Sequence, residues 1–82
     1  MTLLARTPEQ IGAIVRRVRR EQGLTQAALG EKSGLRQETI SLIENGNPAT
    51  RLETLLAVLA ALDLEFRIAP RARSAASIEE IF

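Results

Sequence analysis

Apolar positions along this chain recur first with a helical period and then, near its end, with a period of two. Ile11, Ile14, Val15 and Val18 lie three and four residues apart, which lines one face of a helix. Thr7, Pro8 and Gln10 precede them as N-cap, first-turn proline and capping-box residue, and Gly23 ends that helix. Thr25 caps a second, shorter helix over residues 26–32, closed by Gly34. A third helix over residues 37–44 buries Ile40 and Ile43, and Asn45-Gly46-Asn47-Pro48 is a turn. Thr50 to Glu53 is a further capping box. Leu52, Leu55, Leu56, Leu59 and Leu62 follow it as the strongest amphipathic stripe of the chain. Asp63 stands where a left-handed C-cap residue is expected.

The period then changes. Leu64, Phe66 and Ile68 alternate with Glu65 and Arg67, the pattern of a half-buried strand. One strand has no partner within the chain, and an open strand edge is a liability. Pairing with a second copy across a twofold axis answers this, giving a dimer held partly by Leu64, Phe66 and Ile68. The alternative is an extended segment that caps the helical core. Residues 70–82 turn to Pro, Arg, Ser and Ala, which predicts a flexible tail. Within it, Ser77-Ile78-Glu79-Glu80 can open a short helix with Ile78, Ile81 and Phe82 on one face. The pattern therefore predicts an all-α fold: a compact domain of four to five helices over residues 1–69, with one C-terminal β-strand pairing across a dimer, and a tail over 70–82.

Gly30 and Gly34 interrupt the helical region. A glycine in a helix interior costs roughly 0.5–1 kcal/mol relative to alanine, so something must be gained. Gly34 supplies the positive φ for a tight turn between two short helices, and Gly30 lets the second helix come close to the third. Such a pair is a helix-turn-helix. With Ile40 and Ile43 facing the core, Glu38, Leu42 and Asn45 point outward and Ser41 flanks them. An ordinary helical hairpin fits the spacing as well, and a single exposed leucine is normal. In a major groove, Leu42 can meet a thymine methyl, while Gln37 and Arg36 reach base edges or phosphates.

Composition narrows the chemistry. The 82 residues amount to one small domain, with Phe66 and Phe82 as the aromatic residues. The chain holds no cysteine and no histidine, which removes disulfides, thiolate zinc sites and imidazole bases. No carboxylate cluster has metal-ligand spacing, no nucleophile stands beside a base, and no cofactor is expected, so an enzyme is the least supported class. No apolar run reaches membrane-spanning length, which points to a cytoplasmic protein without a membrane partner. The net charge of +1 divides unevenly, with seven basic and four acidic groups in residues 1–40 against four and six in 41–82. Arg16, Arg17, Arg19 and Arg20 make most of that excess. Arg16, Arg17 and Arg20 suit either a solvated face or phosphate contacts.

The run GLTQAALGEKSGLRQETISLIENG resembles the lambda/Cro-type helix-turn-helix family of phage and bacterial repressors. The resemblance extends over residues 9–63. Its landmarks are Gly23-Leu24-Thr25-Gln26, Leu29, Gly30, Gly34, Ile40, Ile43 and Glu44-Asn45-Gly46. The following leucine helix that enters a strand, NPATRLETLLAVLAALDLEFRI, looks like the HipB-type antitoxins, dimeric repressors that bind a HipA-type kinase toxin and their own operator.

This resemblance implies DNA contacts from Thr25, Gln26, Arg36, Gln37, Glu38, Ser41, Leu42, Asn45 and Asn47. Gln26 would pack on a phosphate, and Gln37, Glu38, Ser41 and Leu42 would read bases. The loop from Asn45 to Asn47 would touch phosphate through its backbone. It also implies a structural ion pair between Arg19 and Glu44. Ser33 departs from the aliphatic residue usual before the turn glycine, and Glu38 is costly beside phosphates unless it accepts from a cytosine N4 or rejects wrong sites.

Three functions follow. The first is a dimeric antitoxin on a palindromic DNA operator, holding a HipA-like kinase toxin through its flank or through Ile78, Ile81 and Phe82. The second is a stand-alone regulator, for which 82 residues leave little room for a sensor cavity. The third is an interaction module that no longer binds DNA.

Overall fold

The computed structural model describes residues 3–71, in which four helices pack around one core. They are α1 (Pro8–Glu21), α2 (Gln26–Ser33), α3 (Gln37–Glu44) and α4 (Leu52–Ala61). Helix α2 packs on both α3 and α4, and α1 packs on α3. The buried centre is Val15 and Val18 of α1, Leu29 of α2, Ile40 and Ile43 of α3, Val58 of α4 and Leu62 at its C-cap. The helical periods of the sequence account for this list, because each helix turns its apolar side to the same point.

All four helices stop in the same way. At each end a residue with positive φ, namely Gly23, Gly34, Gly46 or Asp63, donates its N–H back into the last turn. The next residue donates to a carbonyl one step further back, as in Leu35 N–H to Gly30 O at 2.7 Å. This paired pattern uses up carbonyls that a helix end would otherwise leave unpaired. Asp63 adopts it at φ 61° without the freedom of glycine.

The helix starts differ from one another. Thr7 Oγ1 accepts from Gln10 N–H at 3.1 Å, as its sequence suggests, but the Gln10 side chain accepts from Arg6 N–H rather than closing the box on Thr7. Thr25 Oγ1 caps α2 by accepting from Ala28 N–H. The capping box expected at Thr50 does not form: Arg51 is the N-cap of α4 without a side-chain bond, and Thr50 Oγ1 donates to Asn47 O. The turn after α3 claims that hydroxyl first, since its own carbonyls need donors.

The leucine stripe of α4 also divides. Leu62 is buried and Leu55 and Leu59 pack on the core together with buried Val58, whereas Leu52 and Leu56 are exposed. Beyond Asp63 the chain runs extended, and no strand forms among the described residues. Leu64 packs on the core, Phe66 is half exposed, and Ile68 is 89% exposed. A strand is defined by its ladder of hydrogen bonds, and within one chain this segment has nothing to pair with. Ile78, Ile81 and Phe82, with the short helix expected around them, lie outside the described residues.

Candidate nucleic-acid interface

The turn between α2 and α3 sets the angle at which α3 leaves the domain. A Cβ at Gly30 would stand 2.8 Å from the Leu35 carbonyl oxygen, closer than such atoms come, so only glycine allows this approach. Ser33, the departure before the turn, donates its hydroxyl to Leu29 O at 2.7 Å and to Gly30 O at 3.2 Å. Its side chain is thereby satisfied within α2, where an aliphatic residue would have packed.

At the far end of α3, Glu44 is buried and collects donors from two other helices. Arg19 of α1 donates from Nε to Oε2 at 2.6 Å and from its terminal nitrogen to Oε1 at 3.0 Å. Arg16 Nε and Gln26 Nε2 reach Oε1 at 3.3 and 3.2 Å. Arg19 also donates to Leu24 O at 2.8 Å, which ties down the link between α1 and α2. Among the described residues no buried side-chain nitrogen or oxygen is without a hydrogen-bond partner. Burial pushes the Glu44 carboxyl up, but the hydrogen bonds from Arg19, Gln26 and Arg16 and the charge of Arg19 outweigh it and hold the group below the usual carboxylate range. The hydrogen bond with Glu44 holds Arg19 above its ordinary value against the opposing effect of burial.

Two members of this junction are not evident from the pattern of the chain. Arg16, which suits a solvated face or a phosphate by sequence, is half-buried here and bridges Glu44 to Asn45 Oδ1. Its position three residues before Arg19, on the same helical face, is the signal that points to it. Gly12 is the other: a Cβ there would stand 2.7 Å from the Glu44 carbonyl oxygen, so α1 can cross the end of α3 closely.

The outward face of α3 is the opposite case. Gln37, Glu38 and Leu42 are exposed, Ser41 is half-buried, and with Gln26 they line one shallow, open groove. Leu42 is 53% exposed. Arg36 is exposed at the N-cap of α3. Thr25 is spent in capping, and Gln26 is half committed to Glu44. Asn45 donates to Ser41 O at 2.9 Å, and Asn47 Oδ1 accepts from Ala49 N–H, so both side chains stabilise the turn, in which Asn45 is exposed and Gly46 is buried. Arg17 pairs with Glu21 on the solvent side of α1. The described residues thus gather Gln26, Gln37, Glu38, Ser41 and Leu42 on one face with Arg36 at its edge, while Arg19 and Glu44 lie behind it. No group of three or more Asp or Glu among them is placed to hold a metal ion, and no helix there is long and apolar enough to cross a membrane.

Comparison with known proteins agrees on the fold. The helix-turn-helix family profile matches residues 15–68. The antitoxin HipB of Escherichia coli K12 is 36% identical over 62 residues, covering 76% of this chain and 70% of that protein. An uncharacterised helix-turn-helix-type transcriptional regulator of Sinorhizobium fredii is 40% identical over 68 residues, covering 83% of this chain but 35% of that protein. Among solved structures, a chain of a HipA-HipB-O2-O3 complex superposes with a TM-score of 0.80 at 31% identity, over 87% of this chain and all of that one.

Proposed function

The chain belongs to the helix-turn-helix family, with HipB antitoxins among its relatives, and on that premise we propose that it is the antitoxin and repressor of a HipBA-like operon. In this reading a dimer sets one α3 into each of two successive major grooves, about 34 Å apart, on a palindromic operator. Phosphate contacts from Arg36 and from the backbone at the start of α2 and the Asn45–Asn47 turn supply most of the affinity. Gln37, Glu38, Ser41 and Leu42 select the site. The observation that carries the reading is the contrast within α3. Its inner end is fully satisfied by Arg19, Arg16 and Gln26, and its outer face presents polar groups and one leucine to solvent.

Two further features support dimerisation. Leu52 and Leu56 share one exposed side of α4, and the extended segment carries Phe66 and Ile68 in solvent. Full burial of such a side chain is worth about 1.5–3 kcal/mol, and these groups gain the share that matches their remaining exposure when a second copy covers them and pairs the 64–69 strands. The similarity to a chain solved in complex with HipA supports a kinase-type toxin as the third partner. The contact would come from the dimer flank or from Ile78, Ile81 and Phe82. A stand-alone regulator is the second reading, favoured by the similarity to the S. fredii regulator.

Co-expression with the product of the neighbouring reading frame separates the two. The full chain is expected to capture a kinase-sized partner. Loss of capture by a version ending at Ala69 assigns the contact to the last residues. If neither form captures anything while both bind upstream DNA, the antitoxin reading fails and the stand-alone reading replaces it.

A further inference from the structure

We propose that Glu38 makes α3 a cytosine reader, and that Leu42 adds a thymine at another position of the same half-site. The inference rests on the DNA-binding reading and goes beyond it by naming the bases. Glu38 is exposed in the groove of α3 and has no ion pair or side-chain hydrogen bond among the described residues. An ionised carboxylate only accepts hydrogen bonds. Beside a duplex it is repelled by phosphates, so it weakens binding wherever it finds no donor.

The major-groove edge offers few donors. Guanine shows two acceptors there and thymine an acceptor and a methyl group. Adenine shows its N6 donor beside the N7 acceptor, so a carboxylate facing it gains one bond and meets one repulsion. Cytosine shows N4 alone, which suits Glu38 best. Among the groove residues Gln26, Gln37, Ser41 and Leu42 are neutral and Gln26 already donates to Glu44, while Arg36, at the N-cap of α3, makes no ion pair with Glu38.

Leu42 lies four residues further along the same face. Four residues advance a helix by about 6 Å, so Leu42 meets a different base pair from Glu38 in the same groove. At that point an apolar side chain, 53% exposed, has one favourable partner in the groove, the thymine methyl. The half-site therefore contains both a cytosine and a thymine. The acid also works against all other sites, which is how a chain of net charge +1 avoids binding any duplex it meets.

The test is selection from a pool of randomised double-stranded DNA with the full wild-type chain, with Glu38→Gln, and with Glu53→Gln as a control for charge away from the groove. Wild type and Glu53→Gln are expected to enrich the same half-site with a fixed cytosine. Replacing that cytosine in the selected duplex should weaken wild-type binding about ten- to hundredfold. Glu38→Gln should bind unrelated duplex more tightly and move the preference at that one position toward adenine, which a Gln amide pairs with through N6 and N7. Enrichment of a site without a fixed cytosine, or the same cytosine retained by Glu38→Gln, overturns the assignment and leaves DNA binding intact. Failure of the wild type to bind any duplex, even at low salt, overturns both.

Discussion

Glu38 and Glu44 are the same residue on the same helix, and their surroundings could hardly differ more. Glu44 is buried and accepts from Arg19, Arg16 and Gln26. Glu38 stands in an open groove with no partner among the described residues. One carboxylate holds three helices in register, and the other is left available for something outside the chain. One eight-residue helix thus carries a buried, fully paired carboxylate and an exposed one unpaired among the described residues, and the proposed reading gives stability to the first and recognition to the second. In the proposed reading, a recognition face held on such a base loses little entropy when it binds.

The largest expected effect comes from breaking the inner carboxylate. Glu44→Ala leaves Arg19 buried and uncompensated and should cost about 3–5 kcal/mol, measured by urea denaturation. Glu38→Ala should change stability by no more than about 0.5 kcal/mol, as surface substitutions usually do. Equal losses at the two positions would remove the contrast. Next in size, Gly12→Ala should cost about 1–3 kcal/mol, because its Cβ runs into the backbone of α3 at Glu44.

A pH series sharpens the same contrast. The folded carboxyl of Glu44 sits below its usual value, so its contribution is complete above the unfolded pKa of about 4.3 and is lost as pH falls through the lower folded value. Glu44→Gln is expected to flatten stability in that acidic window. Among the substitutions in the Glu44 junction, the smallest effect is expected for Arg16→Ala. Its bonds to Glu44 and Asn45 are long, at 3.3 and 3.4 Å, and its side chain is 40% exposed, so a loss of about 0.5–1 kcal/mol in thermal unfolding should follow.

Much of this was legible in the chain. The helical period of Ile11 to Val18, Gly34 as a left-handed stop, Asp63 as its non-glycine counterpart and the exposed Leu42 can all be read from spacing alone, because local sterics and burial decide them. The pairing of Arg19 with Glu44 came from family resemblance, since no local rule brings together residues on different helices. What spacing does not disclose depends on competition in three dimensions. Thr50 turns to the preceding loop instead of capping α4, Arg16 enters the Glu44 cluster, and Gly12 is needed only because α3 crosses there. The α4 stripe separates into buried Leu62 and exposed Leu52 and Leu56 because a run of leucines wraps wider than the face a single domain covers. The alternation at 64–69 names a segment able to pair, but pairing needs a second chain.

The most direct test of the division within α3 is DNA binding by a double variant, Arg36→Glu with Gln37→Ala, on duplex from the chain's own upstream region. Fluorescence anisotropy over a salt series is measured beside thermal unfolding and oligomeric state. Wild type should bind with an affinity that falls steeply as salt rises. The double variant should lose at least about a hundredfold in affinity, corresponding to about 2.7 kcal/mol, while its melting and its oligomeric state remain those of the wild type. Operator affinity that survives in a folded double variant would contradict the assignment of recognition to the outer face of α3.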